Sequence, residues 1–156
     1  YYYRQLQSQR KDLVETEMLE SIIMQSLDEL YSKDKFLIDN KVAERDIVHR
    51  FAHYFENYMV NTNISLYNVD CEYNRSGYEI KQIDGSHIYP DFILHKRGLN
   101  KDNLLVIEFK TWWNPDNNSD IDKIRQMMHP DLIYQYKFGC SVTINKDNAE
   151  IFWVDF

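Results

Sequence analysis

Residues 89–113 read YPDFILHKRGLNKDNLLVIEFKTWW, and this stretch contains the clearest structural signal in the chain. Two apolar runs, Tyr89–His95 and Leu104–Thr111, have the composition of β-strands. The segment RGLNKDN between them contains Gly98 and two asparagines, which favour a turn. The stretch therefore predicts a β-hairpin, around which the rest of the chain is expected to pack.

The second strand of this hairpin carries two charged residues close to its end. Strand side chains alternate between two faces, so Glu108 and Lys110 share one face. The opposite face carries the apolar side chains of Leu105, Ile107 and Phe109. Because an isolated charge inside an apolar region is costly, this acid and this lysine require compensating partners.

The simplest set of partners for the charges of Glu108 and Lys110 is Asp91 on the first strand together with a divalent cation. Mg²⁺ and Mn²⁺ bind carboxylate oxygens, and Mg²⁺ keeps several of its waters. Such an ion lowers the pKa of a bound water, which then becomes a nucleophile. A lysine two residues beyond the acid can hold that water and offset charge on phosphoryl oxygens. Asp91, Glu108 and Lys110 therefore have the residue types suited to phosphodiester hydrolysis.

Composition limits the class of protein. A length of 156 residues is enough for one domain with a substantial core, and the hydrophobic fraction of 44% is typical of globular proteins. No apolar run approaches the ~18 residues needed to cross a bilayer, and the first residues lack a signal-peptide core. We therefore expect a soluble, cytoplasmic protein without membrane contact.

The net charge of −7 argues against a protein that wraps nucleic acid with a broad basic surface. It does not exclude a nuclease. Catalytic carboxylates are themselves acidic, and a local basic groove can coexist with an acidic remainder.

Two helices are predicted before the hairpin. Residues 5–31 lack Gly and Pro and predict a long helix, so residues 1–38 are assigned to an N-terminal helical extension and residues 39–156 to the main domain. The helix of this extension either packs on the domain or contacts a protein partner or a second copy. Its apolar stripe consists of Leu19, Ile22, Ile23, Leu27 and Leu30.

The second helix is predicted from about Lys41 to Met59. At ~100° per residue, Glu44 falls on the apolar face of this helix. An acid there has to meet a cation, a metal or a cavity, unless it lies at the helix start and reaches solvent. His49 and His53 point away from this face, which is formed by Ile47, Val48, Phe51, Phe55 and Met59.

The remaining elements are read from alternation and turn residues. A strand is predicted over residues 64–74 and a helix from Ser119 or Asp120, pausing at Pro130 and ending at Gly139. Two strands over 140–145 and 149–155 complete the chain. The order of helix, helix, three strands, helix and two strands predicts an α/β protein with a mixed sheet flanked by helices.

Pro90 and Asp91, followed later by Glu108, Phe109 and Lys110, resemble the motif of the PD-(D/E)XK nuclease superfamily. The order of predicted elements over residues 41–156 is also similar to that superfamily's restriction-endonuclease-like fold. The resemblance implies a mixed β-sheet core of the order αβββαβ, to which the long N-terminal helix is an addition.

By the same resemblance, Asp91, Glu108 and Glu44 are expected to bind Mg²⁺ or Mn²⁺, and Lys110 to assist the attacking water. The implied function is hydrolysis of nucleic acid, with DNA favoured over RNA. Two alternatives stay open on this fold. One is a module that has lost catalysis and binds nucleic acid or a protein partner. The other is an RNA endonuclease of the cap-snatching type, whose helix histidine has no well-placed counterpart in the predicted helix phase.

Five further residues are candidates for contacts with nucleic acid. Arg75 and Lys81 lie in the loop before the hairpin, and Lys123 and Arg125 lie on the later helix, where each can reach a phosphate. Trp112 can stack on a base or pack at the sheet edge.

Overall fold

A computed structural model describes residues 2–73, 82–83, 85–115 and 118–156. Within them the chain forms, in order, α1 (Tyr2–Lys33), α2 (Lys35–Asp39), α3 (Glu44–Met59), β1 (Asn68–Cys71), β2 (Gln82–Ile83), β3 (Ser86–His87), β4 (Phe92–His95), β5 (Leu105–Thr111), α4 (Asn118–Met128), β6 (Phe138–Ile144) and β7 (Ala149–Trp153). No helix in these ranges combines the length and the hydropathy that a membrane span requires.

In the described part of the chain, β1, β4, β5, β6 and β7 form one mixed sheet of five strands in that order. β1, β4 and β5 are antiparallel neighbours, β6 runs parallel to β5, and β7 runs antiparallel to β6. α4 makes the crossover between the two parallel strands. β2 and β3 pair separately. The prediction of an α/β protein with a mixed sheet and a long N-terminal helix is confirmed.

The hairpin is formed as predicted. β4 pairs antiparallel with β5, with Phe92 opposite Ile107 and Ile93 opposite Val106. Ile107 faces the core under α1 and α3, whereas Ile93 and Val106 face a second apolar cluster that contains residues of α4. Alternation along the two strands thus separates the two layers of helices.

The second half of α1 belongs to the main core. The predicted stripe is buried on the sheet and α3, and its members Leu19, Ile22, Ile23, Leu27 and Leu30 are each at most 5% exposed. Residues 1–38 and 39–156 therefore share one core. Residues 4–10 of α1 are exposed, and contact of the N-terminal helix with a protein partner or a second copy stays a prediction.

Helix α3 buries the apolar face that was predicted for it, while His49 and His53 are exposed. The helix begins three residues later than expected, at Glu44. Lys41 adopts a left-handed backbone conformation with φ of 54°, which a continuous helix cannot contain.

Two predicted elements are wrong in extent. Of the strand expected over 64–74, the described residues 64–73 form only Asn68–Cys71, and residue 74 lies outside the described residues. The chain before Asn68 turns instead, with Ser65 N donating to Thr62 O at 3.2 Å and Tyr67 N to Ile64 O at 3.0 Å. The helix expected to pause at Pro130 and end at Gly139 stops at Met128. A proline has no N–H and disfavours helical geometry in the residue before it, so Pro130 ends the helix.

Gly139 lies inside β6, where α4 crosses the strand. A Cβ at this position would overlap Ile124 Cγ2 and Met128 Sδ, so the close approach of helix and strand requires glycine. We expect Gly139→Ala to lower the free energy of unfolding by about 1–3 kcal/mol through overpacking. Denaturant titration measures this loss. The control is Ser141→Ala on the same strand, and an equal effect of both variants contradicts the packing argument.

Candidate active site

Asp91 and Glu108 lie opposite each other where the pairing of β4 with β5 ends, while β5 continues to Thr111 beside β6. Asp91 comes directly before β4, and the register of Phe92 opposite Ile107 extends to this pair. Asp91 Oδ2 accepts a hydrogen bond from Phe109 N at 2.8 Å. This bond holds the Asp91 carboxylate against β5, beside the predicted acid.

Glu108 is 2% exposed, which is rare for an acid. Burial raises its pKa well above the ordinary value, and the neighbouring Asp91 carboxylate raises that pKa further. The ammonium of Lys123 acts in the opposite direction. Two carboxylates in one poorly solvated place therefore need positive charge or a proton.

Lys123 supplies positive charge to this pair from the second turn of α4. Its Nζ lies 2.8 Å from Glu108 Oε1 and donates a hydrogen bond to Tyr89 O at 3.2 Å. From the sequence, Lys123 was predicted to contact nucleic acid. That contact stays a prediction, and in this structure the ammonium lies against Glu108.

Lys110 is held by an acid that sequence reasoning treated only as a helix start. Its Nζ lies 2.5 Å from Asp120 Oδ2, and the two side chains are 15% and 16% exposed. Asp120 and Lys123 are three residues apart on α4 and so share a helix face. That spacing is visible in the sequence, but only the placement of α4 over β5 shows that both residues reach the site.

Glu44 joins the group from α3. Burial raises its pKa to about 7, with Asp91 and Asp120 raising it and Lys110 lowering it. Glu44 is the first residue of α3, as the alternative of a solvent-exposed helix start requires. Its side chain is only partly exposed, however, so it does not simply reach solvent. The structure thus brings Glu44 within electrostatic reach of the acid and the lysine of the hairpin.

The raised pKa of Glu44 predicts a dependence of stability on pH in the metal-free protein. Between pH ~4.5 and 7 the folded state binds more protons at this residue than the unfolded state, so its contribution to stability falls as pH rises. We expect Glu44→Gln to flatten that decline and to be more stable than the wild type at pH 8. Denaturant unfolding from pH 5 to 8 in EDTA tests this, and parallel curves for the two proteins contradict it.

The oxygen donors of the site suit Mg²⁺ or Mn²⁺ as a small set of carboxylates. No group of three or more His, Cys, Asp or Glu residues is arranged to hold a metal ion in the described ranges. Mg²⁺, however, takes only one or two protein carboxylates. Glu108 Oε1 is buried and lies 2.8 Å from the Lys123 ammonium, so it already takes positive charge. Asp91 and Glu108 therefore fit such an ion as a pair, with Glu44 as a more distant carboxylate.

A cavity of about 500 Å³ opens beside these acids, between the start of α3 and the end of β1. Glu44 and Asp91 line it, together with His49, Cys71 and Glu72. His49 is exposed as predicted, but it is exposed into this cavity. The cavity gives a ligand access to the carboxylates of Glu44 and Asp91, whereas Glu108 is buried behind them and is not among the lining residues.

The other candidates for nucleic-acid contact lie elsewhere. Trp112 packs against the core, donates from Nε1 to Ile38 O at 3.3 Å and lies under the ammonium of Lys41. This is the expected packing at the sheet edge, and base stacking stays a prediction. The side chain of Arg125 is 52% exposed, 3.9 Å from Asp122. Arg75 and Lys81 fall outside the described residues.

Comparison of the chain with protein-family models, with curated proteins and with solved structures found no match. Function is therefore argued from the site itself.

Proposed function

We propose that this protein is a metal-dependent nuclease of the PD-(D/E)XK superfamily that hydrolyses DNA phosphodiester bonds. The observation that carries the proposal is the meeting of Asp91, Glu108, Lys110 and Glu44 at one end of the sheet. Glu44 lines the cavity and Glu108 is buried beside Asp91, and both have raised pKa values, a feature typical of functional sites.

The order of elements supports the same proposal. Leaving out the short β2–β3 pair, the chain after α2 runs α3, β1, β4, β5, α4, β6, which is the αβββαβ order that the sequence resemblance implies. The Glu-x-Lys strand β5 lies at the centre of the sheet, between the Pro-Asp strand and the parallel strand β6.

Each residue has a distinct task in the proposed reaction. Asp91 and Glu108 would bind Mg²⁺ or Mn²⁺. When bound, such an ion supplies a water of lowered pKa and positive charge for the phosphate. Lys110, held by Asp120, would orient that water and offset charge that builds on the phosphoryl oxygens. Glu44 would act as an auxiliary carboxylate from the cavity side.

One observation favours a second function, a nuclease-like module that no longer cuts and binds nucleic acid or a protein partner. Lys110 and Lys123 both pair with acids of the site, so the charges are partly balanced without an ion. The net charge of −7 is consistent with such a module.

Digestion of a substrate panel tests the proposal. The panel contains single-stranded, duplex and branched DNA and RNA, with Mn²⁺, Mg²⁺ or EDTA. We expect cleavage of at least one DNA form with metal and none in EDTA. Absence of cleavage, together with no Mn²⁺ binding by calorimetry, contradicts the nuclease and favours the binding module. Cleavage of RNA alone would replace DNA as the substrate, and His49→Ala would then test whether this cavity histidine takes part.

A further inference from the structure

Lys123 on α4 contacts both chain segments that carry the acids of the site. Its ammonium contacts a carboxylate oxygen of Glu108 on β5 at 2.8 Å and the backbone carbonyl of Tyr89, two residues before Asp91, at 3.2 Å. Both contacts are to oxygen atoms, and oxygen is also what a hard divalent cation binds. The lysine therefore already neutralises the acid that the proposed metal requires.

We propose that Lys123 is the built-in counter-ion of Glu108 in the metal-free protein, and that a divalent cation has to displace it in order to bind. This inference rests on the proposed function for the identity of the competing ion. The counter-ion role itself rests only on the ion pair.

Electrostatics and exposure support the competition. Glu108 is 3% exposed at its side chain, and a buried carboxylate without a counter-ion is strongly destabilising. A second cation at the same oxygen repels the ammonium over a few ångströms in a poorly screened place. Lys123 is 29% exposed on a long flexible stem, so its ammonium has a path to solvent.

Lys110 does not take this role. Its ammonium lies against Asp120 on α4, so it stays paired when Glu108 changes its partner. The two lysines of the site thus differ. Lys110 is held by Asp120, which the proposed ion does not use, whereas Lys123 is held by Glu108, which the ion would bind.

The test compares Lys123→Met with the wild type in EDTA and in Mn²⁺. The control is Arg125→Met, on the same helix but with its charge 3.9 Å from an exposed acid. We expect Lys123→Met to lower the metal-free Tm by at least about 5 °C, because Glu108 is left without a counter-ion. We also expect Lys123→Met to bind Mn²⁺ about tenfold more tightly in calorimetry, and Mn²⁺ to restore its Tm. Arg125→Met should change neither quantity.

A second variant protects the test against simple misfolding. Adding Glu108→Gln to Lys123→Met removes the orphaned charge, so the double variant should regain the lost stability. If the double variant stays as unstable as Lys123→Met, the counter-ion role is wrong.

The outcomes separate the two proposals. A wild type that binds Mn²⁺ and cuts, with a Lys123→Met variant of unchanged affinity, overturns the displacement and leaves the nuclease intact. A wild type that neither binds nor cuts, with a variant that binds Mn²⁺, supports the counter-ion and overturns the nuclease. Failure of both proteins to bind Mn²⁺ overturns the displacement and the nuclease, whereas the counter-ion role is decided by the loss of Tm in Lys123→Met and its recovery in the double variant.

Discussion

Lys110→Met and Asp91→Asn are each expected to lower Mn²⁺-dependent DNA cleavage by about 100-fold or more while the protein stays folded. Lys110→Met removes the charge that would stabilise the transferred phosphate, an effect of about 10²–10³-fold for a comparable donor. Asp91→Asn removes a negative ligand but keeps an oxygen that can accept from Phe109 N. Asp91→Asn therefore acts on chemistry more than on the fold, whereas Lys110→Met also removes the ammonium that pairs with Asp120, so a part of its effect is on stability.

The cleavage rate is measured under single-turnover conditions with the DNA form that the wild type cuts best. Matched controls come from an exposed loop, where Lys101→Met and Asp102→Asn remove the same charges away from the site. Circular dichroism and thermal unfolding verify the fold of every variant. Wild-type rates in a folded Lys110→Met or Asp91→Asn protein would contradict the proposed site.

The central part of the fold is predictable because it depends on local signals. The hairpin follows from a turn-forming segment with Gly98 between two alternating apolar runs, and both strands pair as expected. The second half of α1 and the buried face of α3 follow from helical periodicity. In each case the pattern that forms the element also determines which face is buried.

The errors arise where a distant contact overrides a local signal. Gly139 looks like a helix end in sequence, yet the structure uses it inside β6, because only glycine leaves room for α4. Periodicity along α4 and β6 separately contains no information about this crossing. Tertiary packing therefore decides the role of this residue.

The candidate site was predicted only in part for a related reason. Residue types and strand alternation identified Asp91, Glu108 and Lys110, but the partner of each lysine lies on another element. Asp120 and Lys123 meet the strand only after the parallel crossover places α4 over β5. The spacing of Asp120 and Lys123 on α4 can be read from the sequence, but the position of α4 over β5 cannot.

Phe51→Ala is expected to lower the free energy of unfolding by about 3–5 kcal/mol, the usual loss for a fully buried phenylalanine. The ring is 0% exposed, and its centroid lies 4.9 Å from that of Phe109 and 5.3 Å from that of Phe92. Phe109 stands between Glu108 and Lys110 in the chain, and Phe92 follows Asp91. The same ring therefore packs α3 against both strands that carry the site.

Phe36→Ala is the matched control, because the Phe36 side chain is 71% exposed and its removal should change stability by no more than about 0.5 kcal/mol. Denaturant unfolding of both variants gives the comparison. A loss for Phe51→Ala close to that of Phe36→Ala would mean that α3 is not packed on the hairpin as described. Glu44, the first residue of α3, would then have no fixed place beside Asp91, and its role as an auxiliary carboxylate would fall with the packing.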